Sequence, residues 1–265
     1  MNNGICILAQ NNNTTNYVEQ AYALALSVLA HSPTTNISII TDDTVSTTYK
    51  NVFDQIIPII GNDLAAHKDW KIDNRWKIFQ LTPYEHTTVF DADMLVLDPI
   101  IKTSNNLAFT STVKSYRNET VNSRFYRKTF DANDLPNIYT GFYQFNKSNE
   151  STAFFNLLEL IMQNWEMFYK LYTPLDMQKW NSVDVSAAIA LKILGVDYTS
   201  NLSFTHMKPQ VQHLSNVPNK WTDILSVDFG NDTLYINGFK QSGVLHYVED
   251  NFLTRDMLMW LEERV

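Results

Sequence analysis

At 265 residues, 45% hydrophobic and 13% aromatic, the chain has room for one large domain or two small ones around a real core, and it is globular. Its 28 acidic residues against 20 basic ones leave a formal charge of -8, which excludes long-range attraction of the whole molecule to nucleic acid or an anionic membrane. The lone Cys6 can form no internal disulfide, and the start "MNNGICILAQ" has no basic segment leading into an apolar one; a soluble, cytoplasmic protein without a membrane span is expected.

In chain order, "GICILAQ" (Gly4 to Gln10) reads as a short buried strand and "YVEQAYALALSVLAHS" (Tyr17 to Ser32) as a helix stopped by Pro33. "NISIITDD" and "QIIPII" follow as strands, and "NRWKIFQLTPY" as a helix over about residues 74 to 84. Then comes "TTVFDADMLVLD" (Thr87 to Asp98), an apolar run with Asp91 and Asp93 in its middle. Strands alternating with helices predict an α/β fold with a mostly parallel central sheet flanked by helices. Ligands then collect at the carboxyl ends of the strands, where the loop "QNNNTTN", Asp42 with Asp43, and the Asp91/Asp93 pair all fall.

The second half is less regular. "KSYRNETVNSRFYRK" (Lys114 to Lys128) reads as a basic loop or flap, "NIYTGFYQFN" as a strand, and "ESTAFFNLLELIMQNWEMFYKLY" as one long amphipathic helix. "VDVSAAIALKILG" reads as a helix capped by Gly195, "SGVLHYV" as a short strand and "FLTRDMLMWLEERV" as a last helix. With no internal repeat and no Pro/Gly-rich linker, one domain with two lobes over residues 1 to 265 is expected.

An ionised carboxylate in an apolar setting costs several kcal/mol, so Asp91 and Asp93 belong where a strand ends at a cleft, or on a metal ion. Three chemical readings compete. Two carboxylates one residue apart can share a hard cation that also binds phosphate oxygens. Alternatively Asp91 is a nucleophile of the haloacid-dehalogenase type; that superfamily prefers Thr or Val where Leu95 stands and carries its motif on the first strand. Third, an Asp-x-Asp arises by chance about once in a chain of this size. The apolar flanks "TTVF" and "MLVL" favour a functional reading.

Taken together, "ILAQNNNTTNYVEQAYALALSVL", "RWKIFQLTPYEHTTVFDADMLVLD", "YTGFYQFN", "VDVSAAIAL" and "GVLHYV" resemble the ordered landmarks of the glycogenin-like, family 8 glycosyltransferases, retaining enzymes with the GT-A fold. The resemblance implies that Asp91 and Asp93 bind Mn²⁺ (or Mg²⁺) together with His246, and that the metal holds the diphosphate of a UDP-sugar donor. It also implies that the first loop, from Ala9 through Asn11 to Tyr17, holds the nucleobase, with Tyr17 stacking on it. Arg75 and the motif residues Asp91, Ala92 and Asp93 would contact the donor, and Asp184 would stand beside the reacting sugar. The acceptor is left open between a saccharide, a protein, a small molecule and a modified nucleobase.

Independently of that resemblance, breaking a sugar-diphosphate bond builds charge on the leaving oxygen, which a divalent cation stabilises without proton transfer. An imidazole ligand favours Mn²⁺ over Mg²⁺, and with only 7 glycines the chain offers no Gly-rich phosphate loop to replace the metal.

This sequence departs from the pattern at three places. Val185 follows Asp184 where the family has Gln, "YTG" (Tyr139 to Gly141) replaces Asn-Ser-Gly, and "YVEDNFL" follows His246 where a lysine-bearing segment is usual. Structural readings stand beside the functional ones: His246 as a hydrogen-bonded core residue, Tyr17 as helix-start packing, Arg75 paired with Asp73, Asp184 as a first-turn acidic residue, Asp42 and Asp43 as a strand-end turn. Metal-dependent glycosyl transfer is the expected function. A catalytically silent sugar-nucleotide binder and a phosphatase using Asp91 as nucleophile are the alternatives.

Overall fold

Ile5 and Ile7 on one side of the first strand and Cys6 on the other are all buried, and the two sets belong to different core clusters. The strand β1 (Asn3–Leu8) is therefore covered on both faces, as a near-continuous apolar run demands. The computed structural model describes residues 2–61, 63–100, 105–117, 127–198, 200–207, 225–230, 232–248 and 252–265.

Around β1 a six-stranded sheet forms from β2 (Asn36–Ile40), β3 (Gln55–Ile57), β4 (His86–Phe90), β6 (Leu107–Thr110) and β8 (Tyr139–Asn146), in the order β3-β2-β1-β4-β8-β6. β3, β2, β1 and β4 run parallel; β8 runs antiparallel between β4 and β6. On the Ile5 face lies α1 (Tyr17–His31), capped by the Asn16 side chain, which accepts from the Glu19 N–H, and closed just before Pro33. On the Cys6 face lie α4 (Asn149–Gln163) and α6 (Val183–Leu194). Gly195 ends α6 in the left-handed conformation at φ 61°, as expected of its C-cap glycine.

A second, four-stranded sheet, β5 (Met94–Val96), β13 (Val244–His246), β9 (Ser203–His206) and β7 (Thr112–Ser115), packs beyond α1. Ser27 in the middle of that helix ties the two together: its hydroxyl donates to the Leu24 carbonyl and accepts the Val96 N–H at 2.9 Å. A small antiparallel sheet of β10 (Val227–Gly230), β11 (Thr233–Ile236) and β12 (Phe239–Lys240), and the final helix α7 (Arg255–Glu262), complete this side.

Several expectations need correction. "TTVFDADMLVLD" is not one strand: β4 ends at Phe90 in the large sheet, and β5 starts at Met94 in the other. The carboxylates sit in the turn where the chain changes sheets, Asp91 buried and Asp93 partly so. "QIIPII" keeps only Gln55 to Ile57, because Pro58 has no N–H to continue the ladder. The expected helix at 74 to 84 is a 3-10 turn at Arg75–Lys77 running into the short α2 (Ile78–Leu81), ending ahead of Pro83.

The long helix of the second half breaks at Asn164, whose side chain donates to the Leu160 carbonyl while its backbone leaves the helical region at φ -128°. α5 (Trp165–Tyr172) then takes a new direction that buries Tyr169, whose hydroxyl donates to the Ser182 carbonyl at 2.9 Å. The basic run, expected as a loop, has Lys114 and Ser115 in β7 and Lys128 at the start of the short helix α3 (Lys128–Ala132); residues 118–126 lie outside the described residues. β6, β7, β9 and the β10 to β12 sheet were not anticipated.

Candidate active site

Asp91 follows the last residue of β4, and its N–H donates to the Gly141 carbonyl of the neighbouring β8 at 2.7 Å. Three residues on, β5 pairs antiparallel with β13, setting His246 opposite Met94. The Tyr247 N–H donates to the Asp93 carbonyl at 3.1 Å, fastening the end of β13 to the turn. A histidine more than 150 residues downstream is thereby brought onto the acidic pair. Asp91, Asp93 and His246 each offer one ligand atom, and these atoms lie within 4.8 Å of one another. The His246 Nε2 stands 3.1 Å from Asp93 Oδ2.

The rest of the cluster is charge compensation. The Arg75 guanidinium pairs with Asp91 Oδ1, and the Tyr139 hydroxyl donates to Asp91 Oδ2 at 3.0 Å and lies 3.2 Å from His246 Nδ1. Burial alone would push Asp93 up, but His246 and then Arg75 outweigh it and hold the carboxylate below its usual range. Burial would likewise pull His246 down; Asp93 and Asp91 overcome it and raise the imidazole above its ordinary value. Burial, joined by the three nearby carboxylates, pushes the Tyr139 phenol well up, so it keeps its proton. Two carboxylate oxygens and an imidazole nitrogen beside a cleft form a donor set suited to a divalent cation of the manganese type.

Asp184 lies in the first turn of α6 on the opposite wall. Its Oδ1 accepts the Thr140 N–H at 2.8 Å and the Thr140 hydroxyl, and its Oδ2 meets the Arg127 guanidinium at 3.0 Å. Thr140 and Tyr139 are consecutive on β8, so one strand end braces both the acidic cluster and Asp184.

A cleft of about 790 Å³ opens above these groups, and Tyr17, Arg75, Asp91, Ala92, Asp93, Asp184 and His246 all line it. Two of the anticipated residues do not. Ala9 is buried at the end of β1, its N–H on the Ile40 carbonyl, and the Asn11 side chain accepts the Val18 N–H at 3.1 Å to hold the loop against α1. Asn12, Thr14 and Thr15 of the same loop line the cleft instead. Asp42 and Asp43 brace strand ends, accepting the N–H groups of Ile59 and Asn11, in keeping with a turn. Asp73 pairs with Lys68, which leaves Arg75 for Asp91. Val185 is wholly buried in the core, so the residue after Asp184 does not face the cleft.

Sequence reasoning missed the roles of Tyr139, Thr140 and Arg127, and the exposed Trp70 and Trp180 at the cleft. The one available signal was the replacement of Asn-Ser-Gly by "YTG". A second cavity of about 460 Å³ lies at the other end of the strands, lined by polar groups such as Asn2, Thr35, His86 and Gln144 with Ile100 and Phe145, and by none of the acidic-cluster or cleft residues.

No protein-family model matches the chain, and no curated protein matches it. Solved structures do. The galactosyltransferase LgtC, in complex with donor and acceptor sugar analogues, superposes at a TM-score of 0.56 and 15% identity over 98% of this chain and 94% of its own. An active-site mutant of LgtC gives 0.55 at 16% identity over 98% and 95%. The glycosyltransferase GlyE of Streptococcus pneumoniae gives 0.50 at 12% identity, covering 100% of this chain and 60% of its own. The chain has the GT-A-like fold of these glycosyltransferases, the fold implied by the sequence resemblance. Among the described residues no helix is long and apolar enough to cross a membrane.

Proposed function

We propose that this protein is a metal-dependent glycosyltransferase that moves a sugar from a nucleotide diphosphate, UDP by preference, to an acceptor hydroxyl with retention at the anomeric carbon. The observation that carries the reading is the convergence of Asp91, Asp93 and His246, from two distant parts of the chain, beside a cleft in a fold shared with glycosyltransferases. These three residues would hold Mn²⁺. When bound, the cation supplies positive charge to the diphosphate as the bond to the sugar breaks.

The remaining work falls to the chain itself. Arg75, released from Asp91 or shared with it, sets a second positive charge next to the phosphates. The 12–15 loop and Tyr17 provide amide, hydroxyl and ring surface for the base and ribose. Thr140 and Arg127 fix the carboxylate of Asp184, which then faces the sugar either to stabilise positive charge developing at the anomeric carbon or to orient the acceptor hydroxyl. Its placement and bracing support that role. Asp91, with both oxygens engaged by Arg75 and Tyr139, is poorly set for nucleophilic attack on phosphorus.

A thermal-shift screen of nucleotide sugars with and without Mn²⁺, followed by mass detection of donor hydrolysis, tests the proposal. A UDP-sugar should raise the melting temperature only when metal is present, and Asp93→Asn should abolish the effect. Failure of every nucleotide sugar to stabilise the Mn²⁺-loaded protein would overturn it.

A further inference from the structure

We infer that Tyr139 is a positioning residue for the cation, its hydroxyl fixing which nitrogen of His246 faces the metal and which way the Asp91 carboxylate turns. The inference rests on reading Asp91, Asp93 and His246 as a metal site. Its own ground is that one hydroxyl bridges two of the three ligand residues, at 3.0 Å from Asp91 Oδ2 and 3.2 Å from His246 Nδ1.

A phenol has one proton to donate, and an ionised carboxylate can only accept. The Tyr139 O–H therefore points at Asp91, and its oxygen is left to accept from His246. That places a hydrogen on Nδ1 and turns Nε2, 3.1 Å from Asp93 Oδ2, towards the position that both acids share. The chain Nδ1–H to phenol to carboxylate has a single direction, so the orientations of two ligands are set together.

The surroundings hold the phenol in place. Its ring packs against Phe204 with centroids 4.7 Å apart and against the His246 ring at 5.6 Å, and the Arg127 guanidinium lies 6.0 Å from its centroid. Two residues along β8, Gly141 allows the approach: any Cβ there would collide with both the Tyr139 ring and the Asp91 carboxylate.

The test measures Mn²⁺ affinity directly, by electron paramagnetic resonance of free and bound ion, on the full chain and on Tyr139→Phe, with His246→Ala setting the scale for loss of a ligand. Tyr139→Phe keeps the ring packing and should weaken Mn²⁺ roughly 10- to 100-fold, the range typical of outer hydrogen-bond partners, with His246→Ala weaker still. Equal affinity of Tyr139→Phe and wild type alongside a weak His246→Ala overturns the positioning role and leaves the metal site standing. Wild-type affinity in both variants overturns the metal reading itself. Nitrogen-15 spectra of the wild-type protein loaded with diamagnetic Zn²⁺ provide a readout that needs no variant: the inference expects His246 protonated at Nδ1 and metallated at Nε2, and the reverse tautomer refutes it.

Discussion

Arg75→Met tests the electrostatics of the cluster most directly. Met preserves the length of the side chain and removes its charge, leaving Asp91 facing Asp93 with the Tyr139 hydroxyl still donating to it. Breaking a fully buried ion pair costs about 3–5 kcal/mol, and a surface pair is worth about 0–1 kcal/mol. Here the Arg75 and Asp91 side chains are 24% and 11% exposed, between those limits, so a loss of about 2–3 kcal/mol is expected. For a chain of this size that corresponds to a drop in melting temperature of about 4–5 °C.

The same change should help the cation. Mn²⁺ no longer competes with a guanidinium for Asp91, so it should bind the variant more tightly than the wild type, and at a hundredfold excess over Kd it returns about 2.7 kcal/mol. Differential scanning fluorimetry with and without MnCl₂ reads both effects. The reasoning is refuted if Arg75→Met melts with the wild type in the absence of metal, or if Mn²⁺ stabilises the variant no more than it stabilises the wild type.

Three further outcomes follow from the same geometry. Val185→Gln, which restores the residue usual in the resembling family, puts an amide into a fully buried apolar position; chemical denaturation should show a loss of about 2–4 kcal/mol, and donor hydrolysis should not increase. Gly141→Ala should cost at least about 2 kcal/mol and weaken Mn²⁺ binding in the same titration, since the new methyl displaces the Asp91 carboxylate or the Tyr139 ring. The raised His246 pKa means protons compete with the metal even above the ordinary imidazole value of about 6.5, so calorimetric Mn²⁺ affinity should rise with pH through that range, by up to about tenfold per unit. Without metal the sign reverses. The raised imidazole contributes stability that is complete below about pH 6.5 and lost as pH climbs through its folded value, while the depressed Asp93 contributes above about pH 4 and loses that on acidification; melting without metal should therefore peak between the two.

Local patterns in the chain were enough where a stop or cap acts within a few residues. Apolar strands, the Pro33 stop of α1 and Gly195 at the end of α6 each act over a few residues, and each behaves as its chemistry dictates. Breaks were harder to see. Asn164 sits inside a continuous apolar periodicity, and only the burial of Tyr169 against Ser182 makes a change of helix direction worth its lost backbone bonds. The short strands β6, β7 and β9 carry little pattern of their own, since a strand of four residues is stabilised by its neighbours across the sheet.

The sequence by itself determined that two carboxylates would stand at a strand end, and the resemblance pointed to His246 and Asp184 as their company. Tertiary structure decided everything that depends on separate strands meeting. The pairing of β5 with β13 brings an imidazole to Asp93, the pairing of β4 with β8 brings a phenol to Asp91, and the packing of α6 against β8 brings Asp184 to Thr140. It also turned Val185 into the core and Ala9 and Asn11 away from the cleft, because a side chain's direction is set by the face its element buries. Spacing along a chain records which groups are present; the register between strands fixes the few ångströms within which charges, protons and a cation can act on one another.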